Sequence, residues 1–207
     1  LKSLRRKGKP TRRKYPVTMG MMLEVQRMLH DTTPEAAAAR VAADVAPADV
    51  PAVWAGIVVA FLFLLRGGEW LCHDGRGYDT AKVVLGAGVA AFHKGKRVDA
   101  FGQADELALE LRASKTDQYN TGTWRNHFHT RDSPVCPLQA MAALQRAHPE
   151  RFGAGSESLK PLFRRARGGP VLASQVRTLL ERAALALHEP RQAVDPVVPE
   201  QQPPQPS

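Results

Sequence analysis

The chain reads as a mainly α-helical α+β domain with one small antiparallel sheet of three strands. Three observations carry that reading. The run AVWAGIVVAFLFLL at 52–65 is apolar nearly all round, which fits a helix buried on several sides. Other stretches before and after it repeat apolar residues at helical spacing. Between 82 and 129 the period becomes that of strands, with glycine, lysine and asparagine at the bends.

The elements follow in order. Thr18 caps a helix with Met22, Val25, Met28 and Leu29 on one face. Thr33-Pro34-Glu35 starts a second, alanine-rich helix that runs to about Val45, because an N-cap, a first-turn proline and an early acid all favour initiation. Pro47 and Pro51 then punctuate the chain before the central helix at 50–65. Val89 to Phe92 forms a strand that leads into a turn at Lys94-Gly95-Lys96. Leu107, Leu109 and Leu111 alternate with Glu106, Glu110 and Arg112, the period of a half-buried strand. A third strand is expected at 123–129. Asn120-Thr121-Gly122 supplies turn chemistry, so 106–129 reads as a hairpin with Lys115 near its bend. Cys136-Pro137 opens a helix that ends before Pro149, and a last helix covers 173–187 with Val176, Leu179, Leu180, Ala183, Ala184 and Leu187 on one face.

The expected organisation is a basic arm at 1–16, one domain at 17–188 and a Pro-rich tail at 189–207 that builds no core. Lys+Arg 29 against Asp+Glu 20 leaves a formal charge of +9, which favours a polyanionic partner such as nucleic acid. The excess is concentrated in the arm, where Lys2, Arg5, Arg6, Lys7, Lys9, Arg12, Arg13 and Lys14 precede any acid; such a run also suits a solvated tail or a localisation signal. With Cys72 and Cys136 as the only cysteines there is no disulfide framework, and an intracellular setting is expected, nuclear if the source is eukaryotic. The longest apolar run is shorter than the ~20 residues a membrane span requires, so no membrane partner is expected. Leu1 in place of Met suggests that the chain starts inside a longer reading frame.

Two short motifs carry the chemistry. Arg66-Gly67-Gly68-Glu69 follows the apolar helix, where a guanidinium needs a carboxylate or a phosphate, and Glu69 is an internal candidate. Ser114-Lys115-Thr116-Asp117 lies at the hairpin bend, where a point charge can enter a groove while the strands fix its approach. Taken alone, each motif also fits an ordinary salt bridge or an exposed lysine. A forked cation and a point charge together suit a phosphodiester, where one oxygen needs charge stabilised and another needs a proton.

These segments resemble the catalytic domain of tyrosine recombinases, the phage integrase-like family, and come closest to those of eukaryotic mobile elements. FLFLLRGGEWL matches the family element G-x-R-x-x-E except that Leu64 stands in place of glycine. LRASKTDQYNTG resembles the hairpin that carries the family's lysine, and YPVTMGMMLEV, CPLQAMAAL, PLFRR and GGPVLASQVRTLLERAA follow in the family's order over roughly 12–187. The resemblance implies a helical catalytic domain with a small three-stranded sheet that breaks and rejoins DNA strands in recombination or integration. It implies that Arg66 binds the scissile phosphate, that Glu69 steadies the local structure and that Lys115 protonates the departing 5′ oxygen. Arg12, Arg13, Lys14, Thr116, Arg125, Arg164, Arg165 and Arg177 are candidate DNA contacts, other recombinase subunits are candidate partners, and neither a metal nor a small-molecule cofactor is expected.

The family also needs a His-x-x-Arg motif, a second His or Trp and a tyrosine nucleophile. His188 and Arg191 have the first spacing but abut the preceding helix, and Tyr15, Tyr78 and Tyr119 all lie upstream of the nucleophile's place. The expectation is therefore a domain cut short before its C-terminal motifs, inactive by itself. Two other readings stay open. One is a non-catalytic DNA-binding module, such as a domesticated mobile-element remnant. The other is a zinc protein using His127, His129, Cys72, His73 and Cys136, although no paired ligand spacing supports it.

Overall fold

A computed structural model describes residues 16–72, 77–112, 122–130 and 133–188. The arm, apart from its last residue, and the Pro-rich tail lie outside the described residues. Five helices, α1 (Met19–His30), α2 (Pro34–Ala42), α3 (Val50–Phe63), α4 (Pro137–Ala147) and α5 (Ala173–His188), surround a sheet of β1 (Val89–His93), β2 (Lys96–Val98), β3 (Glu106–Leu111) and β4 (Thr123–Phe128). Both threonine caps form: Thr18 Oγ1 accepts the Met21 N–H and Thr33 Oγ1 the Ala36 N–H, each at 3.3 Å.

The general α+β class is as expected, but the sheet has four strands, ordered β2-β1-β3-β4 and antiparallel throughout. The strand missed is β2, whose three residues are too few to set up a period. It is created by its turn. Lys94 and Gly95 both take positive φ, 49° and 75°, the two-residue connection whose twist matches paired strands. Helix ends differ for a related reason. Asp44 adopts φ 53° and returns the Val45 N–H to the Arg40 carbonyl, so α2 stops at Ala42 rather than near Val45.

The core sits around α3, which packs against α4, α1 and β4. Ala52, Val53, Ala55, Val58 and Val59 are almost wholly enclosed, and Leu107, Leu109 and Leu111 face inward in the same cluster as Leu138, Met141 and Leu144 of α4. Among the described residues no single helix is long and apolar enough to cross a membrane; α2 and α3 pass only as a pair bent by 80°, and α3 is largely buried by protein.

The segment at 160–172 has almost no regular structure and is held by side chains, Arg151 foremost. Arg151 is 1% exposed, and its Nη1 donates to the carbonyls of Leu162 (3.1 Å) and Arg164 (2.6 Å) while Nη2 donates to that of Arg165 (3.2 Å). Burial, with Arg164 close by, pulls its pKa down to about 10. Tyr78 adds a second fastening: its hydroxyl donates to the Phe163 carbonyl at 2.7 Å and accepts the Val171 N–H at 2.8 Å. Arg151→Met keeps the bulk but strands three interior carbonyls, so a loss on the order of 3 kcal/mol is expected in urea unfolding. A loss below 1 kcal/mol would show that the clasp is dispensable.

Candidate nucleic-acid interface

The end of α3 gathers the candidate residues. The helix stops because Leu64 takes the left-handed conformation, φ 54° and ψ 45°, and the N–H groups of Leu64 and Leu65 both return to the Ala60 carbonyl. This is the position where the resembled family carries glycine. Glycine adopts that conformation without the clash a Cβ meets, whereas leucine adopts it at a cost of about 1 kcal/mol. Leu64 is also 80% exposed and gains little from burial.

Two residues on, Arg66 leads the short turn Gly67–Glu69. Glu69 is buried, and its carboxylate Oε2 accepts the Arg66 N–H at 2.8 Å while its own N–H donates to the Arg66 carbonyl at 2.9 Å. The glutamate is thus occupied by backbone. The Arg66 guanidinium is 3.9 Å from Oε1 and its side chain is 54% exposed, so the pairing is loose and of small energetic weight. Glu69 is thus the internal carboxylate nearest this guanidinium, with the carboxylate buried and the cation left half open.

β4 reaches the same place. Arg125 Nη1 donates to the Phe63 carbonyl at 3.2 Å, at the last residue of α3, and the His127 ring lies 5.6 Å from the Phe63 ring. Cationic side chains at a helix C-terminus meet the negative end of its dipole. The pairing Leu111↔Thr123 lies two residues further along β4, about 7 Å, and in sequence the segment 113–121 falls between β3 and β4. Lys115 and Thr116 belong to that segment and lie outside the described residues, as do Arg12, Arg13, Lys14 and Arg191.

The remaining candidates separate into used and open. Arg164 is 5% exposed, with Nη1 donating to the Pro161 carbonyl and Nη2 to Glu157, both at 2.8 Å. Arg165 donates to Asp49 at 2.9 Å and Asp44 at 3.0 Å; burial opposes its charge, but the two carboxylates outweigh that and raise its pKa. Both are therefore withdrawn from the set of DNA contacts, since their acceptors are internal and, for Arg165, lie more than a hundred residues away in sequence. Arg177 is exposed on α5, and His188 is the exposed last residue of that helix. Sequence reading missed Arg151 and the Arg125 tether. A basic residue on the inward-facing period of a strand was the available signal for the tether.

Among the described residues no group of three or more His, Cys, Asp or Glu is placed to hold a metal ion. Cys72 and Cys136 are buried, and His73 lies outside the described residues. Compared with known proteins, the chain matches no protein-family model and shows no significant similarity to a curated protein or to a solved structure.

Leu64→Gly should stabilise the domain slightly, by up to roughly 0.6 kcal/mol, the relief of the left-handed leucine less the added freedom of the unfolded chain. Thermal or urea unfolding reads this directly, and a destabilised variant would contradict the conformation assigned to Leu64.

Proposed function

We propose that this chain is a DNA-binding domain of tyrosine recombinase type, in which Arg66 grips a backbone phosphate and Lys115 faces the neighbouring leaving oxygen. The observation that carries this reading is the α3 terminus, which is followed within three residues by the half-open Arg66 guanidinium and is bonded through Arg125 to β4, the strand that follows the Lys115 segment. A planar fork of donors fits two non-bridging phosphate oxygens, and an ammonium on a long stem suits a single oxygen. The formal charge of +9 adds the long-range attraction that DNA binding uses.

In this reading the chain binds without cutting. Tyr78 is locked by the Phe163 carbonyl and the Val171 N–H, and burial pushes its pKa up to about 12, far from an available nucleophile. Tyr15 and Tyr119 lie outside the described residues. Loss of a nucleophile from a cooperative site removes nearly all its catalysis, whereas phosphate contacts contribute to affinity more gradually. A binding module of DNA recombination or integration, acting alone or beside complete recombinase subunits, is the function these features support. A nuclear location, for a eukaryotic source, belongs to the same proposal.

Binding to duplex DNA should weaken with salt, and Arg66→Ala should reduce the slope of log affinity against log salt by about 0.9, one phosphate contact. Lys115→Ala should do the same. Unchanged slopes in both variants would remove these residues from the interface. A suicide DNA substrate should yield no covalent adduct with the wild-type chain, and an adduct would overturn the non-cutting half of the reading.

A further inference from the structure

β4 is an outer strand of the sheet, and among the described residues no strand pairs with its free edge. The opposite edge, β2, is three residues long, carries Lys96 and Arg97 and follows directly on a tight turn. Short length and basic side chains are common ways of keeping an edge from pairing. β4 instead runs six residues in unbroken register with β3, with no proline, glycine or bulge, and its arginine, Arg125, is turned inward to the Phe63 carbonyl. The His129 N–H donates to the Asp105 carbonyl at 3.0 Å, and alternation from that bond turns the backbone groups of His127, Arg125 and Thr123 toward β3. The N–H and C=O groups of Trp124, Asn126 and Phe128 therefore point off the edge, where the Trp124 carbonyl meets the adjacent Thr123 hydroxyl at 3.5 Å and the Phe128 carbonyl the His127 ring Nδ1 at 3.2 Å. The outer face of the same strand leaves Trp124 53% and Phe128 63% exposed.

We propose that two copies of this chain pair antiparallel through β4, joining their sheets into one across a two-fold axis at Asn126. The choice of a second copy rests on self-complementarity. About that axis each outward-pointing residue meets an outward-pointing residue, so the backbone groups of 124, 126 and 128 satisfy one another, the Trp124 and Phe128 carbonyls exchanging the Thr123 hydroxyl and the His127 ring for the partner's N–H groups. Trp124 stands opposite the partner's Phe128, and the reciprocal pair repeats it, giving two aromatic cross-strand pairs on one face. Asn126 meets its own copy, and no acidic residue is placed directly across from another at the junction. The inference stands on the edge alone and does not depend on DNA binding.

Light scattering on the purified chain over a range of concentrations should show the mass doubling as concentration rises. Trp124→Lys and Asn126→Pro should each hold it at one chain with unchanged circular dichroism; the proline removes an N–H that faces away from β3, so the ladder inside the chain survives. In a hydrogen-bonded antiparallel pair the Cα atoms are about 5.5 Å apart, inside the range a disulfide spans. Asn126→Cys should therefore oxidise to a linked dimer, while Thr123→Cys, opposite the partner's His129, should not; the native Cys72 and Cys136 are buried and leave the readout clean. A single-chain mass at every concentration, or a dimer that survives both Trp124→Lys and Asn126→Pro, would overturn the pairing.

Discussion

The carbonyl of Phe63 is where the candidate site is held together. α3 is buried on nearly every side, so its last turn is fixed by the core and its terminal carbonyls need donors from elsewhere. Leu64 and Leu65 supply two N–H groups by turning back to Ala60, and Arg125 supplies a third donor from a strand 62 residues away. Without that guanidinium the strand and the helix end would share only apolar contact. With it, the direction in which the chain leaves α3, and hence the place of Arg66, is tied to the hairpin.

The arginines of this chain do two kinds of work, and formal charge does not distinguish them. Arg40 Nη1 donates to the carbonyls of Met28 and Asp31, both at 2.8 Å, closing the end of α1. Arg151, Arg164 and Arg165 fasten irregular backbone and carboxylates at 157–165 and 44–49. A guanidinium serves here because it offers five donors in a fixed plane, enough to satisfy several carbonyls that no helix or sheet provides for. The cations left to meet a polyanion are those such as Arg66 and Arg177, and the basic field of the described domain is weaker than +9 suggests.

Local rules made much of the fold legible. Thr18 and Thr33 cap as their sequence neighbours indicate, and the leucines of β3 face the core because a period of two admits no other face. The misses share a cause. Leu64 and Asp44 take a backbone conformation that nothing in their side chains announces, since it is imposed by the core on one side and by returning carbonyls on the other. β2 exists because a turn folds three residues onto β1, not because those residues favour a strand. Arg164 and Arg165 look like surface charges in a basic segment until Asp44, Asp49 and Glu157 are brought beside them. Arg66 and Glu69 were recognisable as a pair from spacing, yet which of the two would be buried was not, because that depends on where the chain emerges from α3.

β4 shows how a single strand can carry unrelated obligations without conflict. Its odd-numbered residues, Arg125 and His127, face α3 and direct their backbone groups to β3, so they bind the hairpin to the core. Its even-numbered residues, Trp124, Asn126 and Phe128, face outward and turn their backbone groups to the open edge. A period of two keeps the sets apart in both side-chain and main-chain direction. Insertion of one residue in β4 would exchange them, placing two aromatics against the α3 terminus and Arg125 and His127 on the outer face. The α3 joint and the open edge therefore constrain the same register, and neither can be changed by sliding the strand without losing the other.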